Sequence, residues 1–276
     1  MRTRERGRPL LAVGAVNAIA ARLAAEGGFD ALWVSGLEVS AAAGLPDANV
    51  LGPRDLADVV TSVSRVTALP VIVDVDNAGG AVTTAERTSA DLLRAGATAV
   101  CVEDSSYPKC NSFSAHTSQG LASRDLLCRQ LQTIRKSVGD ELVLIARTEA
   151  LIAGAGLETA RDRAKAYAEA GADAVLIHSK DTTGQEALAV ARAWDIDLPL
   201  VSVPTAFPGV TAQELGAAGY GLCIYANQLS RAALAGMRGA IRRFSTAGTF
   251  TSSLGAPLAS VGDLLAIGEP EAVSCL

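Results

Sequence analysis

Short apolar runs alternate with longer amphipathic stretches along most of the chain. Four of these runs directly follow a helix-like stretch that ends in glycine, at 25–36, 93–104, 168–179 and 216–226. Glycine at a helix end favours the left-handed cap conformation, and short apolar runs are typical of strands buried on both faces. Further runs of the same kind predict four more strands, at 10–15, 69–76, 141–148 and 198–204.

Eight alternating β/α units without a linker predict one closed (β/α)8 TIM barrel, which we assign to residues 1–244. An open, doubly wound sheet is the alternative, but the G-x-G-x-x-G turn that usually follows its first strand is absent. Residues 245–276 form a predicted extension that starts as a loop and contains a short apolar helix, VGDLLAIG, at 261–268. This helix would either pack under the barrel or dock on a neighbouring subunit.

The composition supports a large core in a cytoplasmic protein. Of the 276 residues, 49% are hydrophobic and 19% are charged, and the net charge of −5 gives no electrostatic reason to expect nucleic acid or an acidic membrane as partner. No stretch approaches the ~20 apolar residues of a membrane span. The scattered cysteines form no CxxC pair and indicate reduced thiols. They are Cys101, Cys110, Cys128, Cys223 and Cys275.

The first sixteen residues, MRTRERGRPLLAVGAV, superficially resemble a secretory signal peptide because a basic head precedes an apolar run. Asn17 and Arg22 interrupt the apolar segment, and no clean cleavage site follows a long enough core. We therefore predict the first strand and helix of the barrel here.

Polar side chains follow several predicted strands at the carboxyl end, where TIM barrels carry their catalytic groups. Asp74 and Asp76 end the third strand, and Glu103 ends the fourth. Their carboxylates would repel one another unless a cation lay between them, and oxygen-only ligands suit Mg²⁺ or Mn²⁺. The residues thus predict a metal site, with an ion-pair network that includes Arg147 as the alternative.

Other strand ends offer groups for an anionic substrate. Arg147 and His178, after strands five and six, are suited to grip an oxyacid. Ser35-Gly36-Leu37 supplies a hydroxyl and successive N–H groups that suit a developing enolate oxygen, although this glycine also fits an ordinary turn. A metal cluster beside two cationic groups indicates a substrate that is both enol-like and phosphorylated.

A long connection without periodic pattern runs from Asp104 to about Leu121. Structureless connections beyond ~12–15 residues in compact domains are usually lids or disordered segments. Lys109 and Asn111 lie on this segment, so closing it would bring a cation and an amide onto the substrate and expel water.

These residues together resemble the isocitrate lyase/phosphoenolpyruvate mutase superfamily over about 31–243. The matching stretches are WVSGLEVSAAAGLPDAN, VIVDVD, CVEDSSYPKCNS, IARTEALIAGAGLETARDRAKAYAEAGADAVLIHSK and VPT. The resemblance implies a TIM-barrel enzyme with Mg²⁺, a small-molecule substrate, and a C-terminal helix exchanged between subunits of a homodimer or homotetramer. Its implied site places Asp47 near the transferring phosphoryl group and forms the magnesium shell from Asp74, Asp76 and Glu103. The implied phosphonyl contacts are Asn111, Arg147 and His178, and the implied pyruvyl-oxygen site is Ser35, Gly36 and Leu37. The loop residues Lys109 and Ser112 complete the implied site. On the residues alone, Asp47 also fits an ordinary Pro-Asp turn.

The lid segment discriminates between the reactions of this superfamily. Its carbon–carbon lyases carry a catalytic cysteine two positions after the first lysine of the motif, followed by Gly-His. Here Asn111 occupies that position, Cys110 is one residue out of register, and Gly-His is absent. The phosphonopyruvate hydrolases usually have threonine there, whereas asparagine is the mutase pattern.

The resemblance therefore implies an isomerase that interconverts phosphoenolpyruvate and phosphonopyruvate in phosphonate biosynthesis. A phosphonopyruvate hydrolase, a carbon–carbon lyase of a 2-hydroxy or 2-oxo diacid, and a non-catalytic binder of phospho-enol metabolites are the alternatives. The chain departs from the family pattern in two places. It has DNAGG at 76–80 where the family usually reads Asp-Thr-Gly-Tyr-Gly, and Ser105 replaces the usual lysine.

Overall fold

The computed structural model describes residues 7–113, 120–250 and 258–269. Eight parallel strands close into a barrel in sequence order, with β8 paired to β1, so the predicted (β/α)8 TIM barrel is confirmed. The strands are β1 (Leu10–Gly14), β2 (Ala31–Val34), β3 (Val71–Asp74), β4 (Ala99–Glu103), β5 (Val143–Thr148), β6 (Ala174–Ile177), β7 (Leu200–Ser202) and β8 (Tyr220–Tyr225).

Helices follow the strands, as the amphipathic stretches predicted. In the described ranges these are α1 (Ala18–Glu26), α2 (Gly36–Ala42), α3 (Pro53–Ser64), α4 (Val82–Ala95), α5 (Arg124–Val138), α6 (Gly156–Glu169), α7 (Gln185–Arg192), α8 (Ala212–Ala218), α9 (Gln228–Ala247) and α10 (Val261–Gly268), with a short 3₁₀ turn at Ala78–Gly80. None of the helices in these ranges combines the length and apolar composition that crossing a membrane requires.

Local sequence signals explain where the helices begin and end. Asn17 accepts a hydrogen bond from the N–H of Ala20 and caps α1, which confirms that the amino-terminal stretch forms the first strand and helix. Gly96 and Gly219 follow α4 and α8 with φ of 107° and 115°. Only glycine adopts this left-handed conformation without strain, so the repeated glycines set the turn into the next strand.

Residues of one parity along the strands fill the barrel interior. Trp33, Ile72, Cys101, Ile145 and Leu176 belong to one buried cluster inside the barrel. Side chains two residues further along a strand point to the same face. The inner face therefore continues, at the carboxyl end, into Ser35, Asp74, Glu103, Arg147 and His178.

The prediction that the third strand reaches residue 76 is wrong, because β3 ends at Asp74. Asp76 has φ of 50° and lies in a turn, so it does not follow the alternation of the strand. Its N–H donates to Oδ1 of Asp74 at 3.2 Å, which folds the chain back over the strand end. The two carboxylates meet because of this turn and not because they share a strand face.

The apolar helix predicted at 261–268 is present as α10. It follows α9, a 20-residue helix none of whose described residues is buried. Residues 251–257 and 270–276 lie outside the described residues, as do His116 and Cys275. The division of the chain at residues 244 and 245 stays a prediction, as does exchange of the C-terminal helix between subunits.

Candidate active site

Three carboxylates meet at the carboxyl end of the barrel. Each of Asp74, Asp76 and Glu103 offers an oxygen within 4.8 Å of the others. Asp74 and Glu103 come from the ends of β3 and β4, and Asp76 comes from the turn after β3. The predicted metal-binding residues therefore do come together.

The buried carboxylates of this trio are suited to bind a divalent cation. Burial raises the pKa of Asp76 to about 6 and that of Glu103 to about 8, because no solvent stabilises their charges. Oε2 of Glu103 is buried and has no hydrogen-bond partner among the described residues. Hard oxygen ligands of this kind suit Mg²⁺ or Mn²⁺, and a bound cation would favour the ionised forms.

The start of the lid segment lies against these carboxylates. Lys109 is only 8% exposed, and its Nζ lies 3.0 Å from Oδ1 of Asp47 and also contacts Asp76. Burial alone would lower the pKa of the Lys109 ammonium, but the charges of Asp76, Glu103 and their neighbours outweigh it and raise that pKa. Lys109 thus joins Asp47 to the carboxylate group.

Asn111 makes the second contact of the lid segment with Asp47. Its Nδ2 donates to Oδ2 of Asp47 at 2.5 Å, and its Oδ1 accepts from the N–H of Phe113 at 2.9 Å. The Phe113 ring lies edge-on to His178, with the ring centroids 6.3 Å apart. Residues 109, 111, 112 and 113 line the cavity, while residues 114–119 lie outside the described part of the lid.

Phe113 is a cavity residue that the sequence analysis missed. Its closeness to Asn111 on the same segment was the available signal, since residues 112 and 113 lie in a turn and do not continue a strand-like alternation. Its ring covers one side of the cavity beside His178.

Arg147 lies at the centre of a buried charged network. The strand register pairs it with Glu103, and its guanidinium lies 3.3 Å from both Glu103 and Asp74 and contacts Glu149. The ion pair between Arg147 and Asp74, left open by the sequence, is thus present beside the candidate metal site. The same arginine also lines the cavity, where it can meet an anionic ligand.

Glu149, the residue directly after β5, contacts both Arg147 and His178. It is fully buried, and its Oε1 lies 2.9 Å from Nδ1 of His178. Burial opposes ionisation of Glu149, but Arg147 and His178 outweigh it and lower its pKa to about 2. The ionised Glu149 therefore holds His178 by Nδ1, the nitrogen that also lies 2.8 Å from Nη2 of Arg147.

Ser35-Gly36-Leu37 forms the start of α2 on the opposite wall. Ser35 is the N-cap residue, and its side chain makes no capping bond, so its hydroxyl is not used by the helix. A Cβ on Gly36 would lie 3.3 Å from Oδ2 of Asp76, tighter than ordinary packing. Glycine thus lets the first turn of α2, with its unpaired N–H groups, approach the carboxylates.

Ten of the twelve predicted site residues line one cavity of about 50 Å³. Gly36 and Asp76 line the neighbouring cavity, on the other side of Asp47. The ten are Ser35, Leu37, Asp47, Asp74, Glu103, Lys109, Asn111, Ser112, Arg147 and His178.

The two departures from the family pattern do not remove any of the three carboxylates, and they lie side by side. Nδ2 of Asn77 donates to the backbone oxygen of Ser106 at 3.2 Å and lies 3.5 Å from the hydroxyl of Ser105. A Cβ on Gly80, which has φ of 70°, would lie 2.6 Å from Cβ of Tyr107. The turn after β3 and the start of the lid segment therefore pack as one unit.

The family described as phosphoenolpyruvate phosphomutase matches residues 2–245. The phosphoenolpyruvate phosphomutase of Streptomyces hygroscopicus is 39% identical over 236 residues, which cover 85% of this chain and 75% of the relative. The crystal structure of phosphoenolpyruvate phosphomutase from Streptomyces platensis subsp. rosaceus superposes with a TM-score of 0.90 at 36% identity, covering 94% of this chain and 90% of that one.

Relatives with other reactions match as well. A phosphonopyruvate hydrolase solved with oxalate and Mg²⁺ superposes with a TM-score of 0.87 at 34% identity, covering 95% of this chain and 90% of that one. Proteins named 2-methylisocitrate lyase are also among the relatives. The overall likeness thus includes mutases, a hydrolase and lyases, and it does not distinguish between their reactions.

Proposed function

This chain belongs to the phosphoenolpyruvate phosphomutase family, and we propose that it is a mutase that interconverts phosphoenolpyruvate and phosphonopyruvate. Its relatives also include a phosphonopyruvate hydrolase and a 2-methylisocitrate lyase. The observation that carries the proposal is the contact between Asn111 and Asp47 inside the cavity. An amide, and not a thiol or a threonine hydroxyl, is placed where the lid segment meets the site.

The reaction moves one phosphoryl group within one molecule. The P–O bond of phosphoenolpyruvate breaks with its electron pair left on the enolate oxygen, and the electron pair at C3 of the enolate then forms the P–C bond. The hydroxyl of Ser35 and the first N–H groups of α2 are placed to donate to the enolate oxygen. No net proton transfer is needed.

The opposite wall holds the phosphoryl group while it is detached. Arg147, His178 and Asn111 line the cavity and offer donors for its oxygens. Glu149 fixes Arg147 and His178 from behind, so these donors are oriented before the substrate arrives. Asp47, whose two oxygens accept from Lys109 and Asn111, orients and shields the group in transit.

We assign the carboxylates of Asp74, Asp76 and Glu103 to Mg²⁺, with Mn²⁺ as a substitute. When bound, the ion supplies positive charge that stabilises an enolate and a phosphoryl oxygen. The related phosphonopyruvate hydrolase was solved as a complex with oxalate and Mg²⁺, which supports the choice of metal.

A phosphonopyruvate hydrolase is the second candidate, supported by the likeness to the solved hydrolase. It would use the same donors but admit one water to the phosphoryl group. An assay on phosphonopyruvate with Mg²⁺ separates the two, with phosphoenolpyruvate measured through pyruvate kinase and phosphate measured in the same sample. Phosphoenolpyruvate as the main product supports the mutase, phosphate with pyruvate supports the hydrolase, and no consumption contradicts both.

A further inference from the structure

The hydroxyl of Ser105 contacts a carboxylate of the proposed metal site. Ser105 is 1% exposed, and its Oγ donates to Oε1 of Glu103 at 2.5 Å. The other oxygen of Glu103, Oε2, has no hydrogen bond among the described residues. Oε1 is thus held by Ser105, while Oε2 lies 3.3 Å from Nε of Arg147.

Ser105 is itself held by the turn that carries another carboxylate of the trio. Asn77 follows Asp76 directly and is 2% exposed. Its amide donates to the backbone oxygen of Ser106 at 3.2 Å and reaches the hydroxyl of Ser105 at 3.5 Å. From α5, Nε2 of Gln130 donates to the backbone oxygen of Asn77 at 3.1 Å and fixes the turn.

These contacts form one buried chain of hydrogen bonds. It runs from Gln130 through the turn at Asn77 to Ser105 and ends on Glu103. Each donor in the chain is at most 2% exposed, and a cavity of about 60 Å³ lies beside the chain. The orientation of the Glu103 carboxylate therefore depends on residues that do not belong to the metal-binding trio.

We propose that Ser105 is a positioning residue that sets the metal affinity of this site by orienting Glu103, with Asn77 holding Ser105 in place. Outer-shell hydrogen bonds of this kind typically change metal affinity by 10–100-fold when they are removed. The inference rests on the metal site of the proposed function but not on the reaction. It accounts for the two departures from the family pattern together, since Asn77 and Ser105 are the residues that meet.

The test measures metal binding without substrate. Mn²⁺ is titrated into the metal-free protein, free Mn²⁺ is followed by electron paramagnetic resonance, and Mg²⁺ is measured by competition. Ser105→Ala should raise the Kd for Mn²⁺ by about tenfold. Ser105→Thr keeps the hydroxyl and should bind close to the wild type. Ser106→Ala is the matched control, because Asn77 bonds to the backbone oxygen of Ser106 and not to its side chain.

Unchanged or tighter Mn²⁺ binding by Ser105→Ala would overturn the inference, and so would a wild-type protein that binds no metal. If Ser105→Ala fails to fold, Asn77→Ala decides: a raised Kd supports the inference, and wild-type affinity contradicts it. Because no turnover is measured, a failure of the proposed reaction leaves this result interpretable.

Discussion

At the scale of single residues, the proposed reaction depends on which side chain the lid segment places beside Asp47. Asn111 reaches Oδ2 of Asp47, while Cys110 is not among the described residues that line the cavity. An amide at this position can donate to a phosphoryl oxygen, but it cannot act as an acid or base in the way that the catalytic cysteine of the lyases can. The mutase interpretation therefore predicts that turnover is sensitive to replacement of Asn111 and insensitive to replacement of Cys110.

Asn111→Ala should slow mutase turnover by about 10²–10³-fold, the usual loss for one donor to a developing charge. Asn111→Thr should also slow it and let some phosphate appear, because the shorter hydroxyl side chain leaves room for water. Turnover and released phosphate are measured together at saturating Mg²⁺. Cys110→Ser is the control and should be nearly silent. If Cys110→Ser abolishes activity while Asn111→Ala retains it, the lyase interpretation replaces the mutase.

At the scale of secondary-structure elements, a buried carboxyl connects α2 to α9. Glu38, in the first turn of α2, is 2% exposed and accepts a hydrogen bond from Ser230 in α9. Its second oxygen has no partner among the described residues. Burial raises the pKa of Glu38 to about 7, although the hydrogen bonds from Ser230 oppose this.

This pKa shift predicts a pH-dependent stability. Between its ordinary pKa near 4.5 and about 7, folded Glu38 keeps a proton that the unfolded chain releases, so stability falls as the pH rises. Glu38→Gln removes this titration. Its free energy of unfolding relative to the wild type should therefore rise by roughly 2–3 kcal/mol from pH 4 to pH 8. Urea unfolding at the two pH values measures this. Glu26→Gln, exposed on α1, is the control, and a Glu38→Gln effect equal at both pH values would contradict the prediction.

The sequence predicted the strands and the inward-facing site residues for one physical reason. Strands buried on both faces leave short apolar runs, and the period of two then carries Asp74, Glu103, Arg147 and His178 to the same rim. The sequence placed Asp76 beside Asp74 by extending the third strand, but Asp76 lies in a left-handed turn after that strand. This turn contacts the distant lid segment, so a local sequence pattern does not predict it. The pairing of Asn77 with Ser105 has no local sequence signal, since the two residues are 28 positions apart.

At the scale of the whole molecule, the carboxyl-terminal helices leave an apolar surface open. Leu234, Met237, Ile241 and Phe244 follow one face of α9, and each is at least 43% exposed. In α10, Val261, Leu264 and Leu265 are exposed as well. Contiguous apolar surfaces of this kind usually mark protein contacts, so we expect a homodimer or homotetramer in which α10 docks on a neighbouring subunit.

Sedimentation equilibrium at micromolar concentration tests this assembly. The wild type should sediment as a dimer or tetramer, and Ile241→Glu should shift it towards the monomer, because a charge buried in an apolar contact is costly. Thr246→Glu, on another face of α9, is the control and should leave the assembly unchanged. A monomeric wild type would contradict the expectation.

In the proposed reaction, one phosphoryl group passes between carbon and oxygen of the same molecule, and water does not enter the site. This reaction is tested by mixing the enzyme with phosphonopyruvate and Mg²⁺ in ¹⁸O-labelled water and following the products by ³¹P NMR. The mutase reaction predicts a growing phosphoenolpyruvate signal without an ¹⁸O isotope shift and little inorganic phosphate. Inorganic phosphate carrying ¹⁸O as the main product, with no phosphoenolpyruvate, would contradict it.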